Sequence, residues 1–329
     1  MARLGLVLGG APPAKDLMEV SKLAERGGFE SVWLTEAWGK DAFTQMAAMA
    51  LSTRTVCLGT GIVPIYTRTP TLMAMTAAGI DDVSQGRFVL GLGTGHRPTI
   101  EGGHGVKLER PLSRMREYVE VVRGILASES FSYAGKEYSI NRFRLGLKPT
   151  RRKIPIYLAS LGFKMMELAG EIGDGVLMNL ASPEYVQQAI LHVRLGAERA
   201  GRNPDDVDIA CLVTMCLSSD RAAALRAGKR QVVFYSRRPF YVNMLKASGF
   251  EKEIDAVIRA RDEGTAEAAI EAVTDEMAES LFACGTPDKC RARIEVYRKS
   301  GVKLPLVSPL RVDKDLRSTL QEAAEAFSD

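Results

Sequence analysis

Glu36 lies in the run Trp33-Leu34-Thr35-Glu36-Ala37-Trp38, an acid between two tryptophans at the end of an apolar stretch. A carboxyl so placed can exchange a proton or hydrogen-bond a cofactor ring, and it can equally be a rim carboxylate paired with a nearby base. His96 follows Gly91-Leu92-Gly93-Thr94-Gly95. Its imidazole titrates near neutrality and suits a proton donor. These glycines do not form the dinucleotide fingerprint, because Pro98 and Gly102-Gly103 stand where a helix would have to open. Small residues here instead let a flat ring approach the backbone. Gly59-Thr60-Gly61-Ile62 predicts a bulge at a strand end. Ala159-Ser160-Leu161-Gly162-Phe163-Lys164 opens a helix, where free N–H groups and the Ser160 hydroxyl would suit a phosphate.

These residues need strands to present them. Short apolar runs predict strands at Leu4–Leu8, Ser31–Thr35, Val56–Val63, Arg87–Leu92, Ile154–Ala159, Val176–Asn179, Val207–Leu217 and Leu304–Ser308. Helical periods lie between them at Ala14–Arg26, Asp41–Ser52, Pro70–Val83, Arg110–Ala127, Phe163–Glu171 and Pro183–Ala200, and a closing helix covers Lys314–Ala326. This alternation is that of an α/β fold, a (β/α)8 TIM barrel, with a doubly wound open sheet as the other possibility. The barrel is favoured because the first and last strands both look buried, as neighbours in a closed ring would be. In a barrel the candidate residues fall at the C-terminal strand ends, where chemistry is placed.

Two segments exceed the barrel plan. Residues 130–147 alternate aromatic and polar side chains and read as an inserted β-hairpin turning at Ala134-Gly135-Lys136. Residues 220–283 read as a helical insertion before the last strand, basic at first and then acidic, with ten acids and three bases from Glu251 to Glu279. It is either a set of solvated faces or a cap over the barrel mouth. The whole, residues 1–329, reads as one domain.

Composition narrows the function. The 329 residues hold 44 Lys and Arg against 40 Asp and Glu, a net charge of +4, with 46% apolar residues. That excludes disorder, and it lacks the clustered excess charge that nucleic-acid binding wants. No window reaches the apolar length of a membrane helix. Five cysteines without metal spacing and no secretory leader fit a cytoplasmic location. Three histidines, none spaced as a metal pair, argue against a protein-ligated metal. No nucleophile elbow or phosphate-binding P-loop is present. Redox chemistry by a bound organic cofactor on a small-molecule substrate remains.

Several motifs carry a resemblance. They are Leu23-Ala24-Glu25-Arg26-Gly27-Gly28-Phe29-Glu30-Ser31-Val32-Trp33, Leu58-Gly59-Thr60-Gly61-Ile62, Tyr66-Thr67-Arg68-Thr69-Pro70, Ser84-Gln85-Gly86-Arg87, Leu90-Gly91-Leu92-Gly93-Thr94-Gly95, Ile154-Pro155-Ile156-Tyr157-Leu158-Ala159, Ala169-Gly170-Glu171-Ile172-Gly173-Asp174-Gly175 and Gly285-Thr286-Pro287-Asp288. Together they resemble the bacterial luciferase-like family, in particular its coenzyme F420-dependent branch and the methylenetetrahydromethanopterin reductases within it. The resemblance spans essentially the whole chain. It implies a TIM barrel, F420 (or, as the alternative, FMN used by a monooxygenase) and a homodimer. It also implies a non-prolyl cis peptide at Gly61-Ile62 behind the cofactor ring, contacts from Thr94 and Gly95, and a phosphate loop at Leu161, Gly162, Lys164 and Met165. Glu36 falls where the family usually has Asp near the ring. The usual Asp-His there is Glu36-Ala37, the Glu after Thr-Gly is His96, and the strand-one Glu of the reductases is Val7. These departures imply a substrate other than methylenetetrahydromethanopterin. They make Glu36 and His96 the expected proton carriers, with Tyr66 and Trp38 lining the pocket. The basic groups Arg142–Lys153 and Arg221–Arg238 are either solvated faces or, with F420 bound, lie towards its anionic tail.

Overall fold

Side-chain caps set where most helices begin. In a computed structural model that describes residues 2–9 and 11–327, Asp41, Thr69 and Ser182 each accept a backbone N–H at the start of a helix. Pro70 and Pro183 occupy first-turn positions where no N–H is needed. The first half of the chain runs β1 (Gly5–Leu8), α1 (Ala14–Arg26), β2 (Ser31–Leu34), α2 (Ala42–Ser52), β3 (Cys57–Thr60), β4 (Val63–Pro64), α3 (Pro70–Val83), β5 (Phe88–Gly93), a π-helical turn (Pro98–Gly103) and α4 (Pro111–Ala127). The hairpin β6 (Phe131–Ala134) and β7 (Ser139–Phe143) follows, then β8 (Ile156–Ala159), α5 (Phe163–Ile172), β9 (Gly175–Asn179), α6 (Pro183–Arg199) and β10 (Asp208–Leu217). The insertion comprises α7 (Arg221–Tyr235), α8 (Pro239–Ala247), α9 (Glu251–Glu263), α10 (Ala266–Glu271) and α11 (Asp275–Leu281). The chain closes with β11 (Ala283–Gly285), α12 (Pro287–Lys299), β12 (Leu304–Pro309) and α13 (Leu316–Glu325).

Eight parallel strands close a ring in the order β1, β2, β3, β5, β8, β9, β10, β12 and back to β1. The closing registers are Asp208 with Gly175 and Gly5 with Leu306. This is the expected (β/α)8 barrel, with the hairpin after α4 and the helices before the last strand in the anticipated places. Strand bounds move by a residue or two. The expected strand Val56–Val63 breaks into β3 and β4 around the cis peptide Gly61-Ile62, and β4 pairs with the top of β5. Ile154 and Pro155 stay outside β8, although the Pro155 carbonyl still accepts from Leu90 N–H at 2.9 Å. The three-residue β11, paired with the end of β10, was not anticipated.

Val7, Trp33, Tyr157, Leu177, Ala210, Leu304 and Leu306 fill the barrel interior. The larger core lies between the strands and the surrounding helices, which explains why the strands read as unbroken apolar runs. Trp33 decides the interior. A Cβ on Gly59 would stand 2.3 Å from its ring, and one on Gly91 would stand 1.8 Å from the Thr60 carbonyl oxygen. Below Trp33, the Tyr157 hydroxyl donates to Asp208 at 2.6 Å. Arg3 donates to both Asp208 and Glu30, closing the N-terminal end of the barrel.

Gly91→Ala should lose about 3 kcal/mol or more of stability, since backbone rather than a side chain stands in the way. Gly79→Ala, in the α3 interior with nothing within 4 Å of the added carbon, should gain about 0.5–1 kcal/mol. Denaturant melts of the two variants giving equal stability would contradict the close approach of β3 and β5.

Candidate active site at the barrel mouth

Backbone bonds lace the strand ends at the C-terminal mouth. Thr35 N–H donates to Leu8 O at 3.0 Å, Glu36 N–H to Ile62 O at 3.2 Å and Gly61 N–H to Leu34 O at 2.9 Å. The Glu36 carboxylate accepts from both terminal nitrogens of Arg68, at 2.6 and 2.8 Å, and from Ala42 N–H at 2.9 Å. The pair is mostly buried, with the side chains 12% and 15% exposed. Arg68 also bonds Asp41 and lies 5.0 Å from the Phe43 ring centre. This is the paired-carboxylate alternative. It corrects the expectation of Glu36 as a proton carrier, because both oxygens are taken by a bidentate guanidinium and a helix N–H.

Beside it stand Gly61, half-buried Ile62, half-buried Thr94 and Gly95, the last in the left-handed region at φ +70°. Ile62 packs over Gly93, where a Cβ would stand 2.6 Å from its terminal carbon. The structure opens a π-helical turn where Pro98 argued against a helix. Proline at a first-turn position removes only an N–H that would have no partner there. Trp38 is 68% exposed and lies over Gly103 of that turn. Tyr66, in contrast, points inward. Its hydroxyl donates to Glu109 O at 2.6 Å, and burial pushes its pKa up to about 12, so it braces the loop and does not line the mouth.

The loop expected to hold a phosphate follows β8, and Ser160 sits in it differently from the expectation. Ser160 is buried, with its hydroxyl within 3.3 Å of the Leu158 and Met165 carbonyls. Its expected role as an anion donor is therefore corrected to one that holds the loop's shape. Leu161, Gly162, Lys164 and Met165 remain at the surface or half-buried, and no side chain caps α5. Tyr185, on α6, donates to Leu161 O at 2.5 Å. Phe163 stacks on Tyr185 and on His192, with ring centres 5.3 and 4.1 Å apart.

The helical insertion reaches the same mouth. Asn179, the last residue of β9, donates to the Tyr241 hydroxyl at 2.8 Å and the Tyr235 hydroxyl at 3.3 Å. The Tyr241 ring lies 5.8 Å from His96, and Arg238 sits over the Phe234 and Tyr235 rings. His96 is half-buried, and among the described residues none hydrogen-bonds its ring. Burial first, and then the charge of Arg238, lower its pKa below the ordinary 6.5. The cap reading of the insertion is thus the one the structure carries. Three of its bases pair internally: Arg221 with Glu279, Arg226 with Glu267 and Lys229 with Asp275. Arg151 and Lys153, at the end of the run Arg142–Lys153, do not face the mouth. Arg151 bonds Asp81 and the Phe88 carbonyl at the start of β5, and Lys153 reaches Asp174 just before β9, both at the opposite end of the barrel.

Arg68, Asn179, Tyr185, Arg238 and Tyr241 were not singled out as site residues from the sequence. Arg68 lay within a recognised motif, and Asn179 ends a strand, which is the rule that found Glu36 and His96. The other three depend on how helices pack over the mouth.

A TIM barrel with a bulged third strand, a glycine-lined mouth and an uncapped helix after β8 is a fold able to hold a flat, anionic ligand at its strand ends. The family described as luciferase-like monooxygenase matches residues 2–304, and the chain belongs to it. It is 33% identical over 310 residues to a 5,10-methylenetetrahydromethanopterin reductase of Methanolobus tindarius, covering 92% of this chain and 93% of that one. It is 34% identical over 301 residues to the same-named reductase of Archaeoglobus fulgidus, covering 89% of each. The solved structure of a coenzyme F420-dependent tetrahydromethanopterin reductase from Methanopyrus kandleri superposes with a TM-score of 0.87 at 26% identity, over 99% of this chain and 98% of that one. No helix among the described residues is long and apolar enough to cross a membrane.

Titration of His96 by NMR should place its midpoint below 6.5, and Arg238→Gln should raise it. Removing a nearby positive charge favours the imidazolium. An unmoved or lowered midpoint would rule out Arg238 as a neighbour acting on His96.

Proposed function

We propose that this chain, as one luciferase-like domain over residues 1–329 acting in the cytoplasm, is a coenzyme F420-dependent oxidoreductase working on a small organic substrate. The mouth carries this reading. Ile62, Thr94 and Gly95 form a shelf for a flat ring, and the uncapped α5 lies next to it. Gly9, at the end of β1, and Gly162 each leave open space where a Cβ would project. The residues present therefore fit a deazaflavin with an anionic tail. The relatives named above, one of them described as F420-dependent, support the choice of cofactor.

When bound, a deazaflavin would supply a hydride acceptor or donor at its C5 carbon. The protein supplies the rest. The loop Leu161–Met165 offers backbone N–H groups and the Lys164 ammonium to the cofactor phosphate, and Tyr185 holds that loop from behind. Glu36, fixed by Arg68, holds the end of β2 against the ring site. His96, its pKa below 6.5, is mainly neutral at pH 7. It therefore accepts a proton from a substrate O–H or N–H as the adjacent carbon is oxidised, and returns the proton in the reverse direction. Val7, buried in the barrel interior, brings no carboxyl to the first strand, which supports a substrate other than methylenetetrahydromethanopterin.

Purified protein titrated with F420 should bind it tightly and FMN weakly, and a panel of alcohols and amines should bleach or restore the F420 absorbance. His96→Asn should lower kcat by about 10²–10⁴-fold while leaving F420 affinity unchanged. Tight FMN binding without F420 binding would establish the monooxygenase reading instead. We propose also that the chain forms a homodimer. Exposed Leu51 on α2 and Leu72 and Met75 on α3 support this, and a solution mass equal to one 35.9 kDa chain would overturn it.

A further inference from the structure

Three of the five cysteines gather where the insertion rejoins the barrel. Cys216, on β10, and Cys284, on β11, are direct register partners in adjacent parallel strands, so their side chains leave the sheet on the same face. Strand spacing of about 4.8 Å lies within the ~4.4–6.8 Å Cα separation that a disulfide spans. Both are free thiols; Cys216 is fully buried and Cys284 half-buried. Contact with the Cys284 thiol, and then burial, hold the Cys216 thiol well above its ordinary pKa. Cys290, from α12, lies nearby but is engaged elsewhere, its thiol donating to Ala283 O at 3.3 Å. A Cβ on Gly228 would stand 3.4 Å from the Cys284 sulfur, so α7 packs directly over this pair. Among the described residues no cluster of three or more His, Cys, Asp or Glu is arranged to hold a metal.

We infer that Cys216 and Cys284 form an oxidative modification site, in which a hydroperoxide converts the two thiols into a disulfide joining the barrel wall to the exit of the insertion. Cys284 is the entry point, because it alone of the two reaches solvent. Its thiolate attacks the peroxide O–O bond, giving a sulfenic acid and one molecule of water or alcohol. The Cys216 sulfur then displaces the sulfenic oxygen as water and forms the S–S bond. Two thiols are oxidised by two electrons, and one peroxide is reduced. Neither sulfur belongs to the ring shelf or to His96. The bond would instead pin β11, and with it the end of the cap, to the last residues of β10.

The test is hydrogen peroxide treatment of the full chain, then alkylation under denaturing conditions and peptide mass mapping. A loss of two mass units, with Cys216 and Cys284 protected, Cys57, Cys211 and Cys290 alkylated, and reversal by dithiothreitol, is the expected result. Cys284→Ser and, separately, Cys216→Ser should each abolish the change while leaving the circular dichroism of the untreated protein intact. If Cys284→Ser fails to fold, the peptide map of the wild-type chain decides alone. A bridge to Cys290, a bridge between chains, or over-oxidation of Cys284 with Cys216 still alkylated would overturn the inference.

Discussion

Trp33 inside the barrel is the constraint on which the mouth is built. An indole in a ring of eight strands leaves no room for a side chain at Gly59, and the β3–β5 approach leaves none at Gly91. With the lower interior filled by Trp33 and Tyr157, whose rings sit 5.5 Å apart, the next layer up must be thin. That layer is Gly61-Ile62, where β3 ends, with Ile62 lying across Gly93. The shelf at the mouth is therefore the upper surface of a packed core, held from below by apolar contact and from the sides by backbone bonds between strand ends.

Polar residues then hold the rim. The Arg68–Glu36 pair ties the start of α3 to the end of β2, and Arg68 reaches Asp41, which also caps α2. A mostly buried, bidentate pair of this kind gives geometry more than stability, since desolvation offsets much of the attraction. His96 is in the opposite situation. It has a half-buried ring, aromatic company and a cation nearby, and it is not committed to any of the described carboxylates. One carboxylate is locked and one imidazole is without a hydrogen bond among the described residues, and the parts proposed for them rest on that contrast.

The elements were legible in the sequence because a parallel barrel writes each strand as a short apolar run and each helix as a capped period. Glu36, His96, Thr94, Gly95 and the loop from Leu161 to Met165 were legible as positions, because chemistry follows strand ends. Their surroundings were not. Whether Glu36 is free or paired depends on Arg68, 32 residues away. Ser160 and Tyr66 turn inward for carbonyls that spacing cannot reveal. The Arg142–Lys153 run read as either a solvated face or an anion site because charge was read without direction, and for Arg151 and Lys153 direction comes only when β5 and β9 show which end of the barrel they meet. Pro98 was read as a stop signal, although the same ring suits a first turn.

The charge pairing within the insertion has a consequence for its exchangeability. Helix α7 supplies the bases, and α10 and α11 supply the acids that answer them. Part of its charge is thus balanced from within, while its roots in the barrel include β11 on β10, two tyrosines on Asn179, the Leu281 carbonyl that accepts from Tyr297 of α12, and apolar side chains in the common core. A different run of helices could be spliced between β10 and α12 and give the same catalytic floor a new ceiling, provided that the graft brings its own matched charges and a donor or acceptor for Asn179.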